Sequence, residues 1–138
     1  MEAGASLPKR LADPVILIAR ALMAYIFIVE GYGKIGGYSG VADYMAGHGV
    51  PSILLPLVIV TELGGGLAIL FGFAARWAAL ALAGFAILTA IIFHGFAVDQ
   101  AVEFQKNLAM AGGFLVLAVL GPGGWSLDGW RSRMKAEG

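Results

Sequence analysis

Apolar residues along the chain fall into four blocks separated by short polar or glycine-rich breaks. The first opens at Asp13-Pro14, an N-cap followed by proline at the first helical position, and runs to about Gly31. The second lies between Val50-Pro51 and the breaker Gly72, the third begins at Arg76, and the fourth stops at Gly121-Pro122-Gly123-Gly124. Each is close to the roughly 20 residues a helix needs to cross a hydrocarbon core. The blocks therefore read as transmembrane helices over about 14–31, 52–71, 76–97 and 104–120. Lys9 and Arg10 precede the first block as in a signal peptide, but Arg20 and Glu30 interrupt it and no small-residue cleavage site follows, so it reads as a retained helix. In the first loop, Ser39 can cap a short helix over about 39–46, with Val41, Tyr44, Met45 and His48 on one face. Such a segment lies among the headgroups or folds over the bundle as a lid. The expectation is an all-α integral membrane four-helix bundle, a single domain over 1–138 with a tail over 121–138.

Composition agrees. Hydrophobic residues make up 59% of the chain, charged residues 13%, and the mean hydropathy is +0.85. Soluble domains carry about a quarter charged residues, so this charge content belongs to a protein whose solvent is lipid. Nine basic residues balance nine acidic ones, which leaves no basic surface for nucleic acid. The absence of Cys removes disulfides, thiolate nucleophiles, iron–sulfur ligation and covalent haem attachment. Two distant His are too few for a zinc site, and His48 sits in a loop, so neither a metal nor a haem held by His48 and His94 is expected.

Basic residues orient the spans. Lys9, Arg10, Arg76, Arg131, Arg133 and Lys135 fall on one side of a four-span topology, Lys34 and Lys106 on the other. Trp77, Trp125 and Trp130 cluster at the basic interface, and Tyr32, Tyr38 and Tyr44 at the opposite one. Both termini are expected in the cytoplasm of a bacterial cell, with the chain passing repeatedly through the inner membrane.

Ionisable residues at membrane depth carry the functional signal, because an unpaired charge in hydrocarbon costs several kcal/mol. Arg20 lies roughly 9 Å inside helix one and Glu62 roughly 15 Å inside helix two, close enough in depth to predict an Arg20–Glu62 ion pair. Glu30 and Lys34 are a favourable i,i+4 pair nearer the outer face. His94 lies near the outer end of the third span, and Lys106 and Asn107 open the fourth on the same side. These residues suit a quinone headgroup, which needs donors for two carbonyl oxygens, a carboxylate to exchange protons, and apolar walls. In that reading Glu62 and His94 exchange protons, His94 titrating near neutrality, and Arg20, Glu30, Lys34, Lys106 and Asn107 hold the ligand. Structural readings stand beside it: Arg20 and Glu62 pinning two helices, and Glu30, Lys34 and Lys106 snorkelling to water. Gly64-Gly65-Gly66 and Gly112-Gly113 read as close helix packing, which also allows a homodimer.

Taken together, Gly31-Tyr32-Gly33-Lys34-Ile35, Tyr44-Met45 with Gly49-Val50-Pro51, Glu62-Leu63-Gly64-Gly65-Gly66, Gly72 with Arg76, Phe93-His94, Phe104-Gln105-Lys106-Asn107 and Gly121-Pro122-Gly123 resemble the DoxX family of small bacterial membrane proteins. The resemblance extends from about Asp13 to Asp128. It implies a four-helix membrane protein connected with quinone or sulfur redox chemistry, as a subunit of a quinone-linked oxidoreductase or a partner of redox-stress enzymes. With no Cys here, any thiol step must be carried by another polypeptide. The leading expectation is a quinone-interacting subunit of a membrane oxidoreductase system that works with a soluble or membrane redox protein. A non-enzymatic scaffold that binds its partner or anionic lipid through Arg131, Arg133 and Lys135 is the alternative, and a small proton-coupled carrier a further one.

Overall fold

The computed structural model describes residues 6–138; the first five positions of the expected domain lie outside them. Six helices follow in order: α1 (Lys9–Gly36), α2 (Tyr38–Gly47), α3 (Ser52–Phe71), α4 (Ala75–His94), α5 (Val98–Leu120) and α6 (Leu127–Glu137). Four of them, α1, α3, α4 and α5, are long and apolar enough to cross a membrane. With an even number of spans, the chain's beginning and its tail share one end of the bundle, here the terminal end. The α1–α2–α3 and α4–α5 connections share the other, the loop end.

Several boundaries differ from the expectation. The helix α1 starts at Lys9 because the Pro8 carbonyl already accepts from Leu11 N and Ala12 N at 2.8 and 3.0 Å. Pro14 thus lies inside the helix, where it forgoes one hydrogen bond. At the other end α1 runs through Gly31 to Gly36. Gly31 is a packing position rather than a stop, since a Cβ there would sit 2.8 Å from the Leu63 backbone nitrogen. The helix α4 ends at His94, where Gly95 reverses the chain at φ 27°, and α5 begins with a 3-10 turn at Val98–Gln100. The tail carries α6, capped by Ser126, whose Oγ accepts from Gly129 N at 2.9 Å.

The spans α1 and α3, α3 and α4, and α4 and α5 pack as antiparallel neighbours. The ring closes where Phe27 meets Phe114 (centroids 5.4 Å apart, edge to face) and Met23 rests on Gly113. Ala24, Ala79, Ala83, Ala86 and Ala111 line the interior; small side chains let membrane helices approach closely. Most large apolar side chains point outward instead. Leu22, Trp77 and Val119 are more than 70% exposed, a surface compatible with hydrocarbon and not with water.

The register of α1 on α3 decides where the charges go. Gly31 lies against Leu63, and Gly66 against Ile28. Continuing that register, α1 ends at the level of Val58, roughly 9 Å short of the start of α3, and α2 occupies the vacated depth. Arg20, eleven residues before Gly31, sits roughly 16 Å from the level of Glu62. The expected Arg20–Glu62 pair therefore does not form. Arg20, 1% exposed, instead donates to the carbonyls of Ile69 (3.4 Å), Leu70 (3.3 Å) and Trp125. Those of Ile69 and Leu70 belong to the last turn of α3, where backbone donors run short: Gly72 N reaches Ile69 O at 3.3 Å, and Arg20 serves both carbonyls. Arg76 serves the end of α5 similarly, donating to Ala118 O (3.1 Å) and Val119 O. The Asp128 carboxylate accepts from Ala74 N and Ala75 N, both at 2.9 Å, at the start of α4. Asp13 holds Gly124 N at 2.9 Å. The terminal end is thus tied by side chains that satisfy the ends of other helices.

Candidate functional site

Where α1 stops short, α2, α3 and α4 enclose a cavity of about 350 Å³, within the range of small-molecule sites. Helical periodicity builds its walls. Leu54, Leu57, Val58, Thr61 and Glu62 come from one face of α3, and Phe85, Leu88, Thr89 and Ile92 from one face of α4. The lid is α2, which contributes Val41, Tyr44 and Met45, the last only 3% exposed. The Tyr44 ring stacks on Phe93 at 5.5 Å, and His48 lies 4.4 Å from Tyr44 and 5.2 Å from Phe93. These contacts pin the lid to α4. Leu57 and Leu88, on opposite walls, are 62% and 56% exposed. The cavity therefore opens sideways between α3 and α4, toward hydrocarbon.

Its polar end is a single ion pair. Glu62 is buried and its Oε2 lies 2.9 Å from Lys34 Nζ, while Glu30 Oε2 lies 3.9 Å from the same ammonium. Glu62 Oε2 is buried, and the Lys34 ammonium is its one polar partner. Both helices that supply the walls depart from α geometry beside it. Val60–Gly64 in α3 and Ala90–His94 in α4 are π-helical, a widening often found at functional sites. A threonine stands at each departure. Thr61 Oγ1 donates to Leu57 O at 2.8 Å, and Thr89 Oγ1 to Phe85 O at 2.9 Å, bonds back along the helix that bend it.

Of the residues singled out from sequence, the structure brings together Glu62 and Lys34, with Glu30 adjacent. Arg20 is at the other end of the bundle. His94 is outside the cavity: the chain reverses just after it, and Nδ1 pairs with Gln100 Oε1 at 2.9 Å. Lys106 is held by Glu103, three residues earlier on the same helix. Asn107 reaches only the back of the wall, donating to Thr89 Oγ1 at 3.4 Å. Tyr44, Thr61, Thr89 and Phe93 join the cavity lining beyond the residues expected from sequence. Their signal was positional: Tyr44 on the apolar stripe of α2, Thr61 beside Glu62, and Thr89 four residues after Phe85. No cluster of three or more metal-ligating side chains occurs among the described residues.

Comparison with known proteins adds a family. The DoxX family model matches residues 15–95, a stretch that includes Lys34, all of α2 and both π segments. The chain is 52% identical over 122 residues to inner membrane protein YqjF of Escherichia coli (strain K12), covering 87% of this chain and 94% of that protein. It is 39% identical over 127 residues to inner membrane protein YphA of the same organism, covering 85% and 91%. A 60-residue stretch is 33% identical to a Bacillus subtilis (strain 168) protein named "Putative oxidoreductase CatD", covering 44% of this chain and 45% of that one. No solved structure matches.

Proposed function

The chain belongs to the DoxX family, and we propose that its lipid-facing cavity binds the headgroup of a membrane quinone for an oxidoreductase system whose other parts lie on a partner protein. We further place it in a bacterial inner membrane with both termini in the cytoplasm. Relatives named as inner membrane proteins, and a partial relative named for oxidoreductase activity, support this setting.

One observation carries the reading. The Lys34–Glu62 pair is the charged feature of an otherwise apolar pocket that opens toward lipid. A quinone would supply carbonyl oxygens that take up electrons and protons. The chain's residues meet those needs in three ways. Lys34 has three N–H donors, and only part of that capacity faces Glu62, so an ammonium N–H remains for a carbonyl acceptor. Glu62, buried at the polar end against Lys34, can hold or release a proton there. The aromatic faces of Tyr44 and Phe93 offer a flat ring a stacking surface, and the leucine and valine walls exclude water, which strengthens each polar contact.

The test is purification in mild detergent with native lipid, followed by solvent extraction and mass spectrometry of quinones. The wild-type protein should carry near-stoichiometric quinone. Leu88→Trp, which fills the mouth from a lipid-facing position, should remove it. His94→Gln, outside the cavity, should retain it. Quinone retained in Leu88→Trp, or absent from the wild type, would end this reading.

A further inference from the structure

The carboxylate at the polar end of the cavity is sealed from water on the cavity side, yet a second feature reaches it from behind. A wide surface depression of about 640 Å³ lies between α1 and α2, and Lys34, Val41 and Tyr44 line both it and the cavity. Lys34 is thus the partition between the two spaces. Across that partition the charged side chains grade from closed to open: Glu62 is 9% exposed, Lys34 21% and Glu30 62%. The spacing is 2.9 Å from Glu62 to Lys34 and 3.9 Å from Lys34 to Glu30. Glu30 lines the depression, which continues past Gly37 and Gly40 at the α1–α2 turn toward the loop end.

The same depth on the neighbouring seam is also charged. Met23 rests on Gly113, and seven residues beyond each, toward the loop end, lie Glu30 and Lys106. Lys106 and its partner Glu103 are 40% and 44% exposed. Charges that open at this depth need water around them, so this side of α1 is the hydrated side and the α3–α4 mouth the dry one.

We propose that Glu30, Lys34 and Glu62 form a proton path from water at the loop end into the cavity. The inference rests on the reading of the cavity as a site that takes up protons, and it adds the route. In each transfer an N–H bond of the Lys34 ammonium breaks and its proton forms an O–H bond on Glu62 Oε2, leaving a neutral amine and a neutral acid. Glu30 takes a proton from water in the depression; its new O–H bond then breaks as the proton forms an N–H bond on the amine, which restores the Lys34 ammonium and the Glu30 carboxylate. Nothing is oxidised or reduced along the path. From the other packed elements, the titratable groups near this line are Tyr44 of α2, His48 just past its end, and Glu103 and Lys106 of α5; α3 and α4 face it with Thr61 and Thr89.

A pH-jump infrared measurement on the ligand-free protein in nanodiscs tests the path. The protonated carboxyl of Glu62 gives a carbonyl band that Glu62→Gln removes, which assigns it. Lys34→Arg is the decisive variant: a guanidinium keeps the ion pair but does not release a proton. Band formation should slow about 10²-fold in Lys34→Arg, the scale of a positioned proton-transfer group, with thermal stability unchanged. Glu30→Gln, on an exposed side chain, should also slow it while leaving the final amplitude intact, and it serves if Lys34→Arg does not fold. Wild-type rates in both variants, or no Glu62 band at any accessible pH, would overturn the path. Because the assay contains no quinone, loss of the quinone reading leaves it readable. Quinone retention with unaltered rates would overturn the path alone.

Discussion

Arg20 and Glu62 are both buried charges, at 1% and 7% exposure, and their surroundings give them different tasks. Arg20 satisfies backbone carbonyls of α3 and of the tail with one side chain, whereas Glu62 lines a cavity and meets the ammonium of Lys34. Removing the first should cost stability and leave the site alone. A buried polar group that loses its partner costs about 1–3 kcal/mol, so Arg20→Leu is expected to destabilise by about 3 kcal/mol in a denaturation series, with quinone retention unchanged. Retained stability would show that water replaces the guanidinium at those carbonyls. Glu62 was legible in the sequence as a charge too deep to snorkel. Its partner was not, because a side chain's neighbour on another helix depends on how far one helix is slid along the other. The residue type and depth of His94 suit a site residue, but the reversal at Gly95, which no local pattern announces, hands its ring to Gln100.

At the scale of the element, glycine sets the slide. A Cβ at Gly31 would meet the Leu63 backbone nitrogen at 2.8 Å, and one at Gly66 the Ile28 side chain at 2.9 Å, whereas Gly33 has open space. Gly31→Ala should therefore force α1 away from the Glu62 segment. The expected cost is about 1–3 kcal/mol, as for overpacking elsewhere, together with loss of quinone. Gly33→Ala, two residues on, should leave both near wild type, and equal effects of the two substitutions would refute the register argument. The hydrophobic blocks located the spans to within a few residues at most ends, because apolar length is a property of the segment itself. They did not reveal the π segments or the early start of α1. Both go with a few local hydrogen bonds, from Thr61 and Thr89 in one case and to the Pro8 carbonyl in the other.

For the whole molecule, the terminal end gathers Lys9, Arg10, Arg131, Arg133 and Lys135 with Trp77, Trp125 and Trp130, and the loop half holds Lys34 and Lys106. Positive charge is retained on the cytoplasmic side during insertion. A fluorescent protein fused after Gly138 should therefore fluoresce, and alkaline phosphatase at the same position should be inactive; the reverse pattern would invert the proposed orientation. The same end is fastened by Arg20, Arg76, Asp13 and Asp128, and the loop end is where α2 closes over the cavity. One end is braced, and the other bears the opening between helices.

What the amino-acid sequence determined by itself is the solvent, the number of spans, the family and the presence of a carboxylate at mid-depth. Each is a local or additive property: apolar run length, charge count, motif order, position within a helix. Only the tertiary structure decided that Lys34 rather than Arg20 meets Glu62, that His94 and Lys106 stand aside, and that a shortened α1 leaves room beneath α2. Those outcomes depend on the offset between packed helices. That offset is set by a few close backbone approaches at Gly31 and Gly66, and a shift of one turn, about 5.4 Å, would pair a different set of charges.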